Sequence, residues 1–583
     1  MPDVERTVRR ADVSAAWYPA VVGTAVVAGV FSLIVCALLV LISFRGTISD
    51  PLDSDVLRAL KADLLKQPQD EATKQRVRDV DLQLRLGYFA RQASAARGTW
   101  LLLGGLVVLA ICLKLAATFR KKLPMPQPKG DEVNGEVARA AVARRSVATV
   151  SVLLAACGLA LVLLYGSGLT ERALEPSEAA PAATYPTAEE IKKNWPCFRG
   201  PGGLGISAYT DVPASWNGKT GEGVLWKTAV PLPGVNSPVV WGDRIFLTGA
   251  TDKERAVYCF DANSGAMLWQ KAIERLPGAS AEPPTVTEDT GFAAPTAVTD
   301  GQRVYAIFAN GDLVSFDFAG NRAWARNLGS PDNPYGHASS LAMYRNLLLV
   351  LYDQGSVDDV KSKLLAIDAA SSRTAWEKPR PVPSSWASPI VIDTGKGEQF
   401  ITCGDPWVIS YDPANGTELW RANCLGGYVA PSPVFGSGLV FAVNTGSKLA
   451  AIRPDGQGDV TTTHIAWTAK GSLPDICSPL CDGKRLYLMT SEGGLTCYDV
   501  KDGHKLWKQE FDVAFNTSPS LVGDRVYVMG CEGVMFILAA ADTYKELGKA
   551  ELGEEARTCP AFLSGRIYIR GAKNLYCIGK KPN

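Results

Sequence analysis

A chain of 583 residues is longer than one hydrophobic core accommodates, so more than one domain is required. Its 60 Lys and Arg against 59 Asp and Glu leave a net charge of +1, which excludes a nucleic-acid partner held by bulk charge. The 47% apolar content is unevenly spread, because three long apolar runs fall within the first 170 positions and the remainder is rich in Gly and aromatic residues.

Residues 1–19 lead into the first run. Ala20 to Ser43 is apolar and uncharged and long enough to cross a bilayer, which makes residues 20–44 the first expected span. A cleaved signal peptide is disfavoured, because the run is too long and no small-residue cleavage site follows Ser43. Residues 99–119 form the second expected span, with Lys114 near its end where the side chain can snorkel to the interface. Residues 147–166 form the third. Arg6, Arg9 and Arg10 precede the first run, Arg120, Lys121 and Lys122 follow the second, and Arg139, Arg144 and Arg145 precede the third. By the positive-inside rule residues 1–19 and 120–146 are expected in the cytoplasm. Residues 45–98 and everything after Gly166 are then expected on the far side of a cytoplasmic (inner) membrane. In 45–98, Val56, Leu57, Leu60 and Leu64 make one helical stripe, Pro68 stops it, and Val77, Val80, Leu84 and Tyr88 make another. The segment reads as a helical hairpin, either packed on itself or serving as a docking element.

Residues 167–193, rich in Ala, Pro and Glu without periodicity, read as a tether. Asn194 to Ser207, NWPCFRGPGGLGIS, is dense in Gly and Pro and reads as irregular loop. From there the chain repeats. Openings of Ser-Pro type stand at Ser237, Ser388, Ser432, Ser478 and Ser518, and Ala294, Ser339 and Cys559 open related copies at spacings of about 40 to 57 residues. Ser478 to Trp507 shows one unit whole: an opening, the turn Asp482-Gly483, an alternating strand from Arg485 to Thr490, the turn Gly493-Gly494, a third strand, and a turn into Leu506-Trp507. The last turn recurs as FDANSGAMLW, YDPANGTELW and YDVKDGHKLW, with looser copies ending at Trp324 and Trp376. Gly four residues before Trp indicates a tight turn, and the Trp a flat side chain packed between units.

An Asp, a Ser/Thr/Asn-Gly turn and a Trp four residues later resemble the tryptophan-docking motif of pyrroloquinoline-quinone (PQQ)-like propeller repeats. That family includes quinoprotein dehydrogenases and also cofactor-free, BamB-like relatives. The resemblance covers about Asn194 to Lys581. It implies an all-β propeller over residues 194–583, of four-stranded antiparallel blades, with Trp226, Trp269, Trp324, Trp376, Trp420, Trp467 and Trp507 docking each blade on its neighbour. Eight openings give eight blades, with seven as the alternative. The copy after Cys559 runs out after three strands, and the orphan segment Val224 to Val230 is expected to complete it and close the ring. Two copies are irregular: Arg453 replaces the usual Asp before a stretched turn to Trp467, and Tyr544 and Leu547 stand where Trp is expected.

Ten of the 13 cysteines lie beyond the third run, and Cys259, Cys497 and Cys577 share one third-strand position, which points to small core residues. Cys477 and Cys481, on one extended strand, would stand about 13 Å apart, beyond disulfide reach. With only three histidines, in separate units, a His-based metal site is not expected. Asn236, His337, Trp386, Tyr428, Asp475, Asn516 and Arg557, each just before an inner strand, should ring one axial mouth. They are mixed polar and aromatic residues without a nucleophile–base couple, and suit contact with a peptide or glycan better than acid–base catalysis. Catalytic, cofactor-binding and metal residues are therefore expected to be none. The expected function is a membrane-anchored, non-catalytic scaffold for envelope proteins. The alternatives are a periplasmic oxidoreductase using PQQ with Ca2+, and a glycan- or ligand-binding sensor.

Overall fold

The computed structural model describes residues 21–36, 109–112, 114–116, 185–280 and 282–580. The chain divides into two units, one ending at Ala180 and the other beginning at Pro181. In the first, residues 21–36, 109–112 and 114–116 are helical, and Ser32 donates its hydroxyl to the Ala28 carbonyl at 2.8 Å. Among the described residues no helix is long and apolar enough to cross a membrane. The expected hairpin of 45–98, the loop 120–146 and the third span 147–166 lie outside the described residues.

The second unit is a closed ring of eight sheets. Blade 1 shows the plan: Val239–Trp241, Arg244–Ala250, Arg255–Asp261 and Met267–Ala272, each antiparallel to the next. Blades 2 to 7 follow over 298–327, 342–379, 390–423, 434–469, 480–510 and 520–551. Blade 8 takes Ala561–Leu563, Arg566–Arg570 and Asn574–Gly579 from the end of the chain, and Val224–Ala229 from the start of the unit. Trp226 stands opposite Cys577 and Ala229 opposite Asn574, so the expected closure is realised. Eight blades, not seven, complete the ring.

The strand expected to alternate, Arg485–Met489, is instead buried on both faces after its first residue. Each blade is sandwiched between two others, so its middle strands meet no water on either side. Only outer strands alternate, as in Met267–Ala272 and Thr374–Pro379. Every outer strand carries a register shift just before its docking position, which re-aims the next side chain toward the following blade. Opposite each docking Trp stands a small residue: Cys259, Ser315, Ala366, Ser410, Ala451, Cys497 and Cys577. A large indole and a small partner keep the volume between blades constant, which is why those three cysteines are fully buried.

The Gly of the turn belongs to the same joint. Trp226, Trp269, Trp376 and Trp467 lie against Gly265, Gly320, Gly416 and Gly503 of the following blade, where a Cβ would overlap the ring. Their indole N–H groups donate to a carbonyl of that turn, Trp269 to Phe318 at 3.0 Å and Trp467 to Val500 at 2.8 Å. Trp324 and Trp507 donate likewise to Ala369 and Ala541.

Both irregular copies have physical reasons. In blade 5 the stretched turn adds a short strand, Gly458–Asp459, parallel to the outer strand of blade 4. Trp420 then has no Gly turn to dock on. It donates to Gln399 Oε1 at 2.9 Å, and Gln399 Nε2 reaches the Pro454 carbonyl of that turn at 2.8 Å. In blade 7 the expectation for Tyr544 and Leu547 is corrected. Gly548 occupies the docking position opposite Ile537, with Leu547 at the bulge, while Tyr544 packs edge-on against Trp507 at 5.5 Å. The missing indole leaves room for the segment at Ala214, whose carbonyl lies 3.6 Å from where a Gly548 Cβ would be.

The tether reading of 167–193 also needs correction at its end. Ala188–Lys192 is a short helix started by a capping box, in which Glu190 N donates to Thr187 Oγ1 and Thr187 N to Glu190 Oε2.

Candidate functional site

The axis of the propeller is built from the openings themselves. The Ser237 N–H donates to Thr296 Oγ1 at 3.0 Å, Thr296 N to Ser340 Oγ at 3.1 Å, and Ser340 N to Ser388 Oγ at 2.9 Å. Ser388 N donates to Ser432 Oγ at 2.9 Å, Ser432 N to Ser478 Oγ at 3.0 Å, and Ser478 N to Ser518 Oγ at 2.9 Å. Ser518 N meets Cys559 Sγ at 3.3 Å, and Cys559 N returns to Ser237 Oγ at 3.1 Å. This closed circuit explains the repeated Ser: a buried inner strand needs a short acceptor for the N–H that no strand on its axial side can take. It also moves two openings. Thr296 and Ser340, not Ala294 and Ser339, hold the ring positions of blades 2 and 3.

One end of the axis is closed by the segment expected to be irregular loop. Trp195 exchanges two backbone bonds with Val240 of blade 1, and Pro196 O accepts from Thr299 N of blade 2. Gly203 lies on Ile390 of blade 4, and Ile206–Ser207 pairs with Leu521 and Val522 of blade 7. Between them Arg199, fully buried, donates through Nη2 to the Pro479 carbonyl at 2.6 Å. These contacts all fall one to four residues past the ring, so residues 195–207 form a belt across that face. A cleft of about 370 Å3 remains beside the belt, between Tyr185, Phe198, Leu341, Met343 and Ile390.

The opposite end carries the residues that precede the ring. Trp386 and Tyr428 come together there, with ring centroids 5.5 Å apart, and Tyr335 stands edge-on to Trp386 at 4.9 Å. Trp386 donates its indole N–H to Asn333 Oδ1 at 2.8 Å and its backbone N–H to Val429 O at 2.9 Å, so it is held from both sides. The connector behind it is fixed by a fully buried ion pair, Arg380 Nε to Asp353 Oδ1 at 2.8 Å, with Ser385 Oγ on Asp353 Oδ2 at 2.6 Å. Tyr428 is 77% exposed, and Ile476, Val357 and Val360 are exposed on loops of blades 3 to 6. Asp475 accepts from Ser491 Oγ at 2.7 Å. Arg557 pairs with Asp289 at 2.8 Å and lies 3.9 Å from Glu555. Asn516 is half-buried beside them in sequence position but joins no aromatic contact.

Asn236 and His337 lie inside, away from the rim. Asn236 binds Thr248 and Ala293 and accepts from the buried Arg570 at 2.6 Å. His337 stacks on Tyr352 at 5.1 Å, and burial drives its imidazole down to about 4, so it is neutral at pH 7. Sequence reasoning missed Tyr335, Asn333 and Arg199. The first two lie outside the opening register, and nothing local marks Arg199 as axial. The described cysteines are free thiols, and burial pushes those in the sheets up, Cys259 and Cys577 to about 12.

A closed, eight-bladed repeat propeller with Trp–Gly joints and an aromatic axial mouth is the class this geometry defines. Compared with known families, residues 206–393 and 458–545 match the model described as outer membrane protein assembly factor BamB, just under half of the chain. The chain is 24% identical over 296 residues to the outer membrane protein assembly factor BamB of Bordetella pertussis, covering 48% of this chain and 69% of that protein. Among solved structures, the quinohemoprotein alcohol dehydrogenase of Comamonas testosteroni aligns with a TM-score of 0.51 at 13% identity, over 70% of this chain and 84% of that one. The quinohemoprotein alcohol dehydrogenase ADHIIG of Pseudomonas putida HK5 aligns with a TM-score of 0.50 at 13% identity, over 69% and 83%. At such identities the two enzymes share the fold alone. The propeller is of the PQQ-like, BamB-like type.

Proposed function

We propose that the chain is a non-catalytic scaffold that holds other envelope proteins at the aromatic mouth of its propeller, anchored by the three apolar runs. The observation that carries this is the Tyr335–Trp386–Tyr428 cluster, rigidly seated yet presenting Tyr428 to solvent, on the side where Ile476, Val357 and Val360 are also exposed. Aromatic anchors on a fixed base, ringed by polar groups, are what protein-binding surfaces concentrate. The similarity to proteins named for outer membrane assembly supports the same reading.

A quinone–calcium centre is not what these residues fit. Asp475 is engaged by Ser491, and Arg557 is turned to Asp289. Among the described residues, the one cluster with three potential metal ligands is Asp499, Asp502 and His504, on an outer turn far in sequence from the ring and largely exposed. There Asp502 caps the His504 N–H at 3.1 Å, an ordinary turn contact.

A photo-crosslinker in place of Tyr428, in the full chain in intact membranes, tests the reading. A discrete protein adduct is expected at Tyr428 and not at the outer-strand position Leu547, and Trp386→Ala should reduce it at least tenfold with little change in melting. No adduct, or dye-linked alcohol or sugar oxidation appearing on addition of PQQ and Ca2+, would overturn it.

A further inference from the structure

Arg199 is the one feature of the axis that the scaffold reading leaves without a purpose. Its guanidinium is fully buried, and its backbone is held at φ +60°, a conformation that side chains with a Cβ rarely adopt. Only Nη2 has partners, and they are carbonyl oxygens: Pro479 at 2.6 Å, with Leu204 and Pro519 at 3.4 Å. Nε and Nη1 are buried without a hydrogen-bond partner among the described residues. Among the described residues no carboxylate pairs with it, and the ionisable groups beside it are the thiols of Cys559 and Cys477, which burial keeps protonated and neutral. Burial pulls its pKa down to about 10, yet at pH 7 it stays a cation. A buried cation without a counter-charge is among the costliest arrangements in a protein interior.

The surroundings supply further donors. Pro479 and Pro519 each follow a ring residue directly, so the guanidinium lies one peptide from the circuit of Ser and Thr hydroxyls. Thr296, Ser340, Ser388, Ser432 and Ser478 all accept a backbone N–H and are buried, and none donates its own hydrogen to another described residue. Gly205 lets the belt backbone pack directly on the guanidinium, since a Cβ there would stand 2.8 Å from Nη2 and 3.2 Å from Nε.

We infer that the propeller holds a small monovalent anion, halide-sized, on its axis between the Arg199 guanidinium and the ring hydroxyls. The anion supplies the missing counter-charge, takes the open Nε and Nη1 donors, and gives the hydroxyl hydrogens an acceptor. It is a structural ion that locks the belt of 195–207 to the ring.

The test uses the full chain in detergent. Replacing gluconate by chloride or bromide at constant ionic strength is expected to raise the melting temperature by several degrees, saturably, and the shift should vanish in Arg199→Met. Crystals grown in bromide should show an anomalous peak beside the Arg199 guanidinium. That measurement on the unsubstituted protein decides the question even if Arg199→Met does not fold. No halide-specific shift, the same shift in Arg199→Met, or ordered water alone at the guanidinium would overturn the inference.

Discussion

Gly416 shows how tightly a single position is specified. Its φ is +71°, and a Cβ would stand 2.7 Å from Trp376 Cε3. Gly416→Ala should therefore add overpacking to backbone strain and cost about 2–4 kcal/mol. Gly483, at φ +93° with nothing within 4 Å, has only the backbone term, so Gly483→Ala should cost about 1–2 kcal/mol. Chemical denaturation of the two variants side by side reads the difference, and equal losses would deny the indole contact. His337 makes a second residue-scale test. Its folded value lies near 4, below the ordinary 6.5, so only the unfolded chain takes up this proton between those values. The stability it lends is complete above pH 6.5 and is lost as pH falls toward 4, about 3 kcal/mol in all. His337→Phe keeps the stack on Tyr352 and should flatten that part of the stability–pH curve relative to the unsubstituted protein. The Gly and Trp positions were readable in the sequence because few residue types survive a left-handed turn pressed by an indole. Arg199, Asn333 and Tyr335 were not, because their partners lie elsewhere in the chain and leave no local pattern.

At the scale of elements, Val224–Ala229 bears the most. Among the described residues it is the only strand paired with Asn574–Gly579 on its outer side, and Trp226 carries the joint from blade 8 to the Gly265 turn of blade 1. Deleting Val224 to Val230 should abolish the cooperative melt of the propeller, as followed by near-UV circular dichroism, whereas an unchanged melt would mean that the ring does not depend on closure. This strand was legible because it is half of a repeat whose other half is missing from the far end. The belt of 195–207 was not. Its Gly and Pro residues do mark irregular backbone, but they say nothing of the blades that backbone crosses. Blade 7 misled for a related reason: matching by position in the repeat placed Tyr544 and Leu547 where Trp is expected, while the exchange of volume between Ile537 and Gly548 shows only once strands are paired.

For the whole molecule, we propose that the apolar runs lie in a membrane and the propeller on its far side. A protease added to sealed spheroplasts should digest or release the propeller while leaving a reporter placed in residues 120–146 intact. Protection of the propeller until the cells are lysed would reverse the orientation. The route of the chain through the ring has one more result. Residues 195–229 leave the ribosome early, yet their pairing partners in blades 7 and 8 lie between 520 and 579. Until those partners are made, the nascent protein carries two exposed strands with nothing to bind, and final assembly waits for residues 520–579. Products terminated before residue 520 should therefore aggregate or be degraded rather than persist as smaller propellers.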